Sequence, residues 1–370
     1  MNQASNDSTR RVMDGVAWAE FCDALKAAGA TILGEGSPNN PLDRAEGFRY
    51  LSRLARAGLE GCIEYADPQA PELLRLCHET IKMGADNPDN LYQSAPIRGK
   101  YAYRISGTRG TVHYLGLGTY EGGYGATGSM PLAGYIELPA SADPERKVEI
   151  LVSCTAQAGD WLPMTEASRS LVVRQTFLDR AREQPARLRI ERIDGAHVAR
   201  PLSARNLDTG LRAAGNFVQG CAALFSQWAA RLEAHPNQLP KFDAQQAESA
   251  GGDPHITYYH GYWKLGPDQA LVIDVTPPRC DYWNFQLNNH WMESLDYRYH
   301  QISVNKHSAK RHDGAVRIVV AHTDPGSANW IDTCGHERGT MCLRWVRAET
   351  QPEPTTRVVA LAELRGLAGS

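Results

Sequence analysis

Side chains able to do acid–base and polar chemistry crowd into one stretch, DYWNFQLNNHWMESLDYRYH, from Asp281 to His300. It holds two Trp, three Tyr, two His, three Asn and a Gln. Read as a strand, its side chains alternate between two faces. Trp283, Phe285 and Leu287 then form an apolar face, while Tyr282, Asn284, Gln286, Asn288 and His290 form a polar, uncharged one. Water-facing strand positions usually carry Lys, Glu or Thr. Primary amides and an imidazole instead suit a partly dehydrated cavity, where they orient a ligand without the cost of burying full charges. The plainer alternative is an inert face whose amides bond neighbouring strands or loops.

His290 is the best-placed general acid or base, because imidazole titrates near neutrality. His322 closes the strand VRIVVAH and is a second catalytic candidate, with Asp296 or Glu293 as partner carboxylates. Trp291, Tyr297, Arg298 and Tyr299 collect at the strand's exit, where rigid strands hand over to loops and sites often form. Tyr92, from an upstream polar segment, completes the candidate binding set. A lone histidine is more often a structural hydrogen-bonder, and that reading stands beside the catalytic one.

Other chemistries find less support. A metal site would need His290, His307, His322 and His336 to converge, and none has a ligand spacing such as H-E-x-x-H. No cofactor is expected, and a divalent metal is the minor alternative. GLGTYEGGYG lacks the G-x-G-x-x-G order, and neither a Walker loop nor a G-x-S-x-G elbow occurs. Acid–base chemistry without a covalent intermediate fits the residue stock best.

The totals bound the partners. With 370 residues the chain can build one large or two ordinary domains. Its net charge is -3, acids and bases are interspersed, and no basic run forms, which argues against nucleic acid and anionic membrane. No apolar window approaches the length of a spanning helix, and no hydrophobic segment follows the polar N-terminus. Eight scattered cysteines without a C-x-x-C pair read as thiols of a reducing compartment, so a cytoplasmic location is expected. A homo-oligomer stays open.

The elements that would position these residues read as α+β. Residues 1–100 look helical: DRAEGFRYLSRLARAGLEGCIEY spaces Phe48, Leu51, Ala55, Leu59 and Cys62 by three and four, and PELLRLCHETIKMG continues the style. DNPDNLYQSAPIRG reads as an ordered loop, and a first β-rich unit spans 101–200. A helical block at 201–236 carries the stripe Leu211, Val218, Cys221, Phe225, Trp228 and Leu232. A linker follows at 237–253, exposed and open to proteolysis by its composition, then a second β-rich unit at 254–370.

The two β-rich units resemble one another. VEILVSCTAQAGDWLPMTEASRSLVVRQTF aligns with VRIVVAHTDPGSANWIDTCGHERGTMCLRWV, matching Trp161 with Trp330, Arg169 with Arg338 and Arg174 with Arg344. Upstream, Arg109 faces Arg279. An internal duplication of antiparallel β-sandwich-like units is therefore expected, with two helical blocks. Shared residues should hold the fold: the Trp pair as core anchors, the Arg residues as structural ion pairs or carbonyl binders. The amide-rich stretch belongs to the second copy, where the first reads TVHYLGLGTYEGGYG.

The second copy, ALVIDVTPPRCDYWNFQLNNHWMESLDYR with DGAVRIVVAHTDPGSANWID and GTMCLRWVRAE, resembles the bacterial domain of unknown function 1214 family over roughly Tyr258 to Glu349. NPDNLYQSAPIRGKYAYRISG looks like the longer chains that embed this domain. The resemblance implies a β-rich fold in bacterial, largely catabolic settings, and it supplies no activity and no catalytic residues. NWIDT departs from the commoner Asn-Trp-Leu-Pro form, which DWLP in the first copy keeps.

The leading expectation is a cytoplasmic bacterial enzyme, of lyase or hydrolase type, acting by acid–base chemistry on a small, partly apolar, aromatic or polycyclic substrate. The alternatives are a non-catalytic ligand- or carbohydrate-binding or assembly protein, and a metal-dependent hydrolase or lyase if the histidines converge.

Overall fold

Two sets of eight strands repeat one another, strand for strand, in the computed structural model, which describes residues 3–125 and 128–367. The first set is β1 (Asn90–Pro96), β2 (Tyr103–Thr108), β3 (Tyr114–Glu121), β4 (Leu132–Glu137), β5 (Lys147–Ser153), β6 (Trp161–Pro163), β7 (Ser168–Thr176) and β8 (Arg187–Arg192). The second is β9 (Ile256–Lys264), β10 (Gln269–Val275), β11 (Tyr282–Leu287), β12 (Ser303–Asn305), β13 (Val316–Ala321), β14 (Trp330–Asp332), β15 (Arg338–Val346) and β16 (Thr355–Ala360). The first set forms sheets ordered β1-β7-β3-β4 and β6-β5-β2-β8; the second forms β9-β15-β11-β12 and β14-β13-β10-β16. Neighbours run antiparallel except β5 with β6 and β13 with β14, which are parallel in both copies. One topology is thus used twice, and the chain is an α+β protein with an internal duplication.

Each set closes over its own core. In β5, Val148, Ile150 and Val152 point inward at every second position and meet Ile105, Leu117 and Val173. The equivalent faces of β11, β13 and β15 bring Trp283, Phe285, Ile318, Leu343 and Trp345 together. Where the two sandwiches meet, Tyr114 and its counterpart Tyr282 pack in one small cluster with Val346.

Helices α1 (Gln3–Met13), α2 (Val16–Leu33), α3 (Pro41–Leu59) and α4 (Ala204–Glu233) pack beside this pair; short α5 (Ala244–Ser249) precedes β9 and α6 (Leu361–Leu367) follows β16. Asn40 caps α3 by accepting from the Asp43 amide, with Pro41 opening the first turn, and Ser203 caps α4 in the same way. Five of the six stripe residues of α4, all but Leu232, are buried. Among the described residues, no helix is long and apolar enough to cross a membrane.

Several expectations change. The buried stripe of α3 is Gly47, Tyr50, Leu54, Ala57 and Gly58, while Phe48 is exposed, so the face read from the sequence is one residue out of phase. Small residues decide this: a side chain on Gly47 would collide with Ile32 and Trp291, and Gly58 lies against Ala214. Helix ends at Glu64, after a π turn at Glu60–Glu64. PELLRLCHETIKMG is not helical; Leu74 exchanges both backbone hydrogen bonds with Ser94, so tertiary pairing overrides helix propensity. The first sandwich begins at Asn90, inside the segment read as a loop. Nor is 237–253 a free linker: Leu239 is buried, Phe242 packs on Trp228, and Lys241 bridges to Tyr259. Trp161 and Trp330 are half-buried clasps rather than core anchors. Each indole N–H donates to the last carbonyl of the neighbouring strand, Ser153 at 3.3 Å and Ala321 at 2.9 Å.

Candidate functional site

The polar face of β11 is enclosed, but the protein itself fills it. Asn284, Gln286 and Asn288 are fully buried. Asn284 donates to Asn87 Oδ1 (3.1 Å), Gln286 donates to the Asp86 carbonyl (2.8 Å) and to Asn288 Oδ1 (2.7 Å), and Asn288 donates to Thr340 Oγ1 (3.1 Å). From the adjacent strand, Arg344 donates to Gln286 Oε1 (2.6 Å) and to the Ala85 carbonyl. Tyr282 donates to Asp89 Oδ2 (2.5 Å), which also accepts from Asn305. The chain at 85–89 therefore lies where a ligand had been expected. Buried amides with every partner met are structural groups. Asn288→Ala is expected to cost about 1–3 kcal/mol, because in a dry site it takes from the Gln286 amide one of its two acceptors and from Thr340 Oγ1 its amide donor. Urea denaturation checks this; an unchanged midpoint would mean that water reaches the network.

The other residues singled out in the sequence are scattered. His290 is 1% exposed, its Nδ1 lies 2.8 Å from the Tyr262 hydroxyl, and burial pushes its pKa down to about 4. Trp291 donates from its indole to the Asp43 carbonyl (2.8 Å). Glu293 is fully buried against Arg53 (2.6 Å), and that burial raises its pKa. His322 is half-buried with Nδ1 2.8 Å from Thr333 Oγ1. Asp296 and Arg298 pair at 2.7 Å; the guanidinium hydrogen bonds hold the Asp296 carboxyl down at about 2. Tyr297 lies under the Lys82 ammonium, and Tyr299 is 78% exposed. Among the described residues, the only three potential metal-ligating groups within 4.8 Å of one another are His300, Asp332 and Cys334, so His290, His307, His322 and His336 do not converge.

A different place gathers chemistry. A cavity of about 1270 Å³ opens between the two sandwiches, walled by β1 and β7 on one side and by β9 and β15 on the other, with helical residues closing it. Of the candidate catalytic and binding residues read from the sequence, only Tyr92 borders it. Its apolar lining includes Met83, Tyr124, Phe217, Phe225, Trp228 and Phe242. The polar wall is duplicated. Tyr92 stands opposite Arg174 in the β1–β7 ladder, and Tyr258 stands opposite Arg344 in the β9–β15 ladder, at the same step of the repeat. All four side chains line the cavity.

The copies differ behind these pairs. Where β11 places Asn284 and Gln286, β3 places Gly116 and Gly118. Arg174 therefore has no amide to engage; it donates to the Tyr120 hydroxyl (2.6 Å) and to the Gly251 carbonyl. Both arginines bind carbonyls, as expected of the shared residues, yet both also face the cavity.

His260 occupies the second copy alone; its counterpart on β1 is Ser94, since Cys342 faces the first and Val172 the second. The imidazole is 5% exposed, touches Phe242 (4.7 Å between ring centres) and stacks on Tyr258 (6.0 Å). Its Nε2 lies 3.9 Å from the Cys342 sulfur, and its Nδ1 has no partner. Burial, aided by the Arg344 charge, pushes its pKa down to about 3, so the ring is neutral at physiological pH. A neutral imidazole with one nitrogen unengaged can give or take a proton, or orient a polar atom.

Solved structures place the chain among relatives. An uncharacterized protein from Burkholderia cenocepacia is 51% identical over 96% of this chain and 99% of that one, with a TM-score of 0.93. This chain belongs to the family of that protein. The VPA0106 protein from Vibrio parahaemolyticus is 11% identical over 84% of this chain and 98% of its own, with a TM-score of 0.48, too remote to argue from. No family model and no curated protein matches the chain.

Proposed function

We propose that the inter-sandwich cavity binds one small, largely apolar, ring-bearing molecule, and that the protein acts on it by acid–base chemistry of lyase or hydrolase type. The observation that carries this reading is the unpartnered Nδ1 of buried His260 in the wall of an aromatic-lined cavity. Buried polar atoms are almost always bonded, so an open one beside a cavity marks the place of a ligand atom. His260 takes the role first assigned to His290, whose Nδ1 is already engaged by Tyr262. Trp228, Phe225 and Phe242 supply faces and edges for stacking. The volume exceeds the roughly 300–1000 Å³ typical of drug-sized ligands, so fused rings fit. Eight unpaired cysteines suit a cytoplasmic setting. The likeness to the domain of unknown function 1214 family adds no reaction. The second reading is a binder without turnover.

The experiment is a turnover and calorimetric screen of aromatic and steroid-like compounds on three proteins. Ser94→Trp fills the cavity from a half-buried wall position and is expected to abolish binding while the protein stays folded. His260→Gln is expected to lower kcat about a hundredfold or more with KM close to unchanged. Parent-like turnover by Ser94→Trp would remove the cavity from the account. Parent-like turnover by His260→Gln would remove the acid–base reading, and binding without turnover in the parent would favour the binder.

A further inference from the structure

Arg344 is 5% exposed and Arg174 half-buried, yet among the described residues no carboxylate lies within 4 Å of either guanidinium. Their partners are the neutral oxygens of Gln286, Ala85, Tyr120 and Gly251. The nearby acids are engaged elsewhere. Asp86 accepts from the Ser294 amide and hydroxyl, Asp89 from Tyr282 and Asn305, and Asp253 from Tyr114 and Tyr135. A buried arginine alone marks no anion site, as Arg109 demonstrates. It is 1% exposed, bonds the carbonyls of Val112, Leu138 and Pro139, and does not border the cavity.

Arg174 and Arg344 differ from Arg109 in three ways. They line one cavity, they are duplicate copies of one another, and they act on common neighbours. The phenols of Tyr92 and Tyr258 each feel both guanidinium charges, which places the four groups around a shared space. The approach is also biased. Arg98, Lys100, Arg169, Arg200 and Arg205 also line the cavity and outnumber the acids there, Glu64, Asp67 and Asp86, of which Asp67 is paired with Arg200 at 3.0 Å. Arg98 is pushed down by burial first and by the neighbouring Arg169 charge second, a like-charge crowding that repels cations and draws anions.

We propose that the cavity's ligand carries a carboxylate, received by Arg174 and Arg344 while its apolar body lies against the aromatic lining. A guanidinium presents planar, forked N–H donors that match a carboxylate, and each of the two has donors left over from its bonds within the described chain. An anion between them would add the direct carboxylate contact that both guanidiniums lack, since Asp253 acts on Arg174, and Asp86 and Asp89 on Arg344, only from beyond ion-pair distance. His260 Nδ1 then meets the ligand beside its charged end. The proposal rests on the cavity being the binding site.

The test uses two probes of one shape, naphthoate and its neutral isostere naphthamide, titrated calorimetrically into the full-length protein near neutral pH. The parent is expected to bind naphthoate at least tenfold more tightly than naphthamide. Arg174→Gln is expected to weaken naphthoate about tenfold or more and leave naphthamide close to unchanged, while Arg174→Lys keeps part of the preference. Arg174 is the better position to vary because the buried amide network depends on Arg344. Equal binding of both probes by the parent, lost in Ser94→Trp, would overturn the carboxylate and leave the cavity standing. Binding of neither probe would overturn both.

Discussion

Arg344→Met is expected to lower the stability of the folded protein by about 3–5 kcal/mol, read as a shift of the urea midpoint at unchanged slope. Methionine fills much of the volume but donates nothing. The Ala85 carbonyl loses its guanidinium donor, Gln286 Oε1 is left with only the longer bond from the Asn284 amide (3.3 Å), and Asn284 Oδ1 loses a contact at 3.4 Å. Each buried acceptor left open costs about 1–3 kcal/mol. The chain at 85–89, which links the first sandwich to the amide face of the second, loses one of its ties there. Arg174→Met is expected to cost less, since that side chain is half-buried and bonds only one hydroxyl and one carbonyl. A loss below about 1 kcal/mol for Arg344→Met would show that the network re-forms without it.

Acidification gives the second large effect. Burial holds His290 near 4 and His260 near 3 in the folded protein, against about 6.5 in an unfolded chain. The unfolded state therefore binds more protons in this window. The stability these neutral rings provide is fully present above about pH 6.5 and is lost as pH falls toward the folded values, at about 1.4 kcal/mol per pH unit for each ring. Down to about pH 4 that amounts to roughly 3 kcal/mol per histidine. Asp86, Asp89 and Glu293, whose pKa values burial raises, act in the opposite sense: they stabilise at low pH and lose that stabilisation as pH rises through their folded values. Comparing variants with the parent removes their contribution. His290→Gln and His260→Gln are each expected to flatten the stability–pH slope by about 1.4 kcal/mol per unit between about pH 6 and 4.5. An unchanged slope would mean that the ring protonates freely inside the folded protein.

The duplication was legible because its markers are rare residues at fixed steps: Trp161 with Trp330, and Arg174 with Arg344, which the strand register makes equivalent. The α4 stripe was legible because its apolar period is long and regular. What covers a face was not legible. Period two places Asn284, Gln286 and Asn288 together, but the chain at 85–89 that satisfies Asn284 and Gln286 is some two hundred residues away in sequence. Local pattern carries no information about such a partner. The phase of α3 was misread because Gly47, Ala57 and Gly58 share its buried side with Tyr50 and Leu54, and such small residues add nothing to an apolar stripe.

His260 was overlooked for a simpler reason. ITYYHGYWK places Tyr258, His260 and Tyr262 on one strand face, and Arg344 lies opposite Tyr258. An alternating row of polar rings was the available signal. It drew less attention than the denser stretch at Asp281–His300, whose ring and amide side chains serve packing and chain docking. Assigning the shared residues to the fold also pointed away from the Tyr–Arg pairs, although a cavity between duplicated units is naturally lined by what the units share.

The position of naphthoate in crystals of the protein grown with it tests the central claim most directly. Its density is expected between the Tyr92–Arg174 and Tyr258–Arg344 pairs, with the carboxylate at the guanidiniums and the rings against Phe225 and Trp228. Density confined to the outer surface of the sandwiches, with none in the cavity, would contradict the claim that the duplicated units enclose the ligand site.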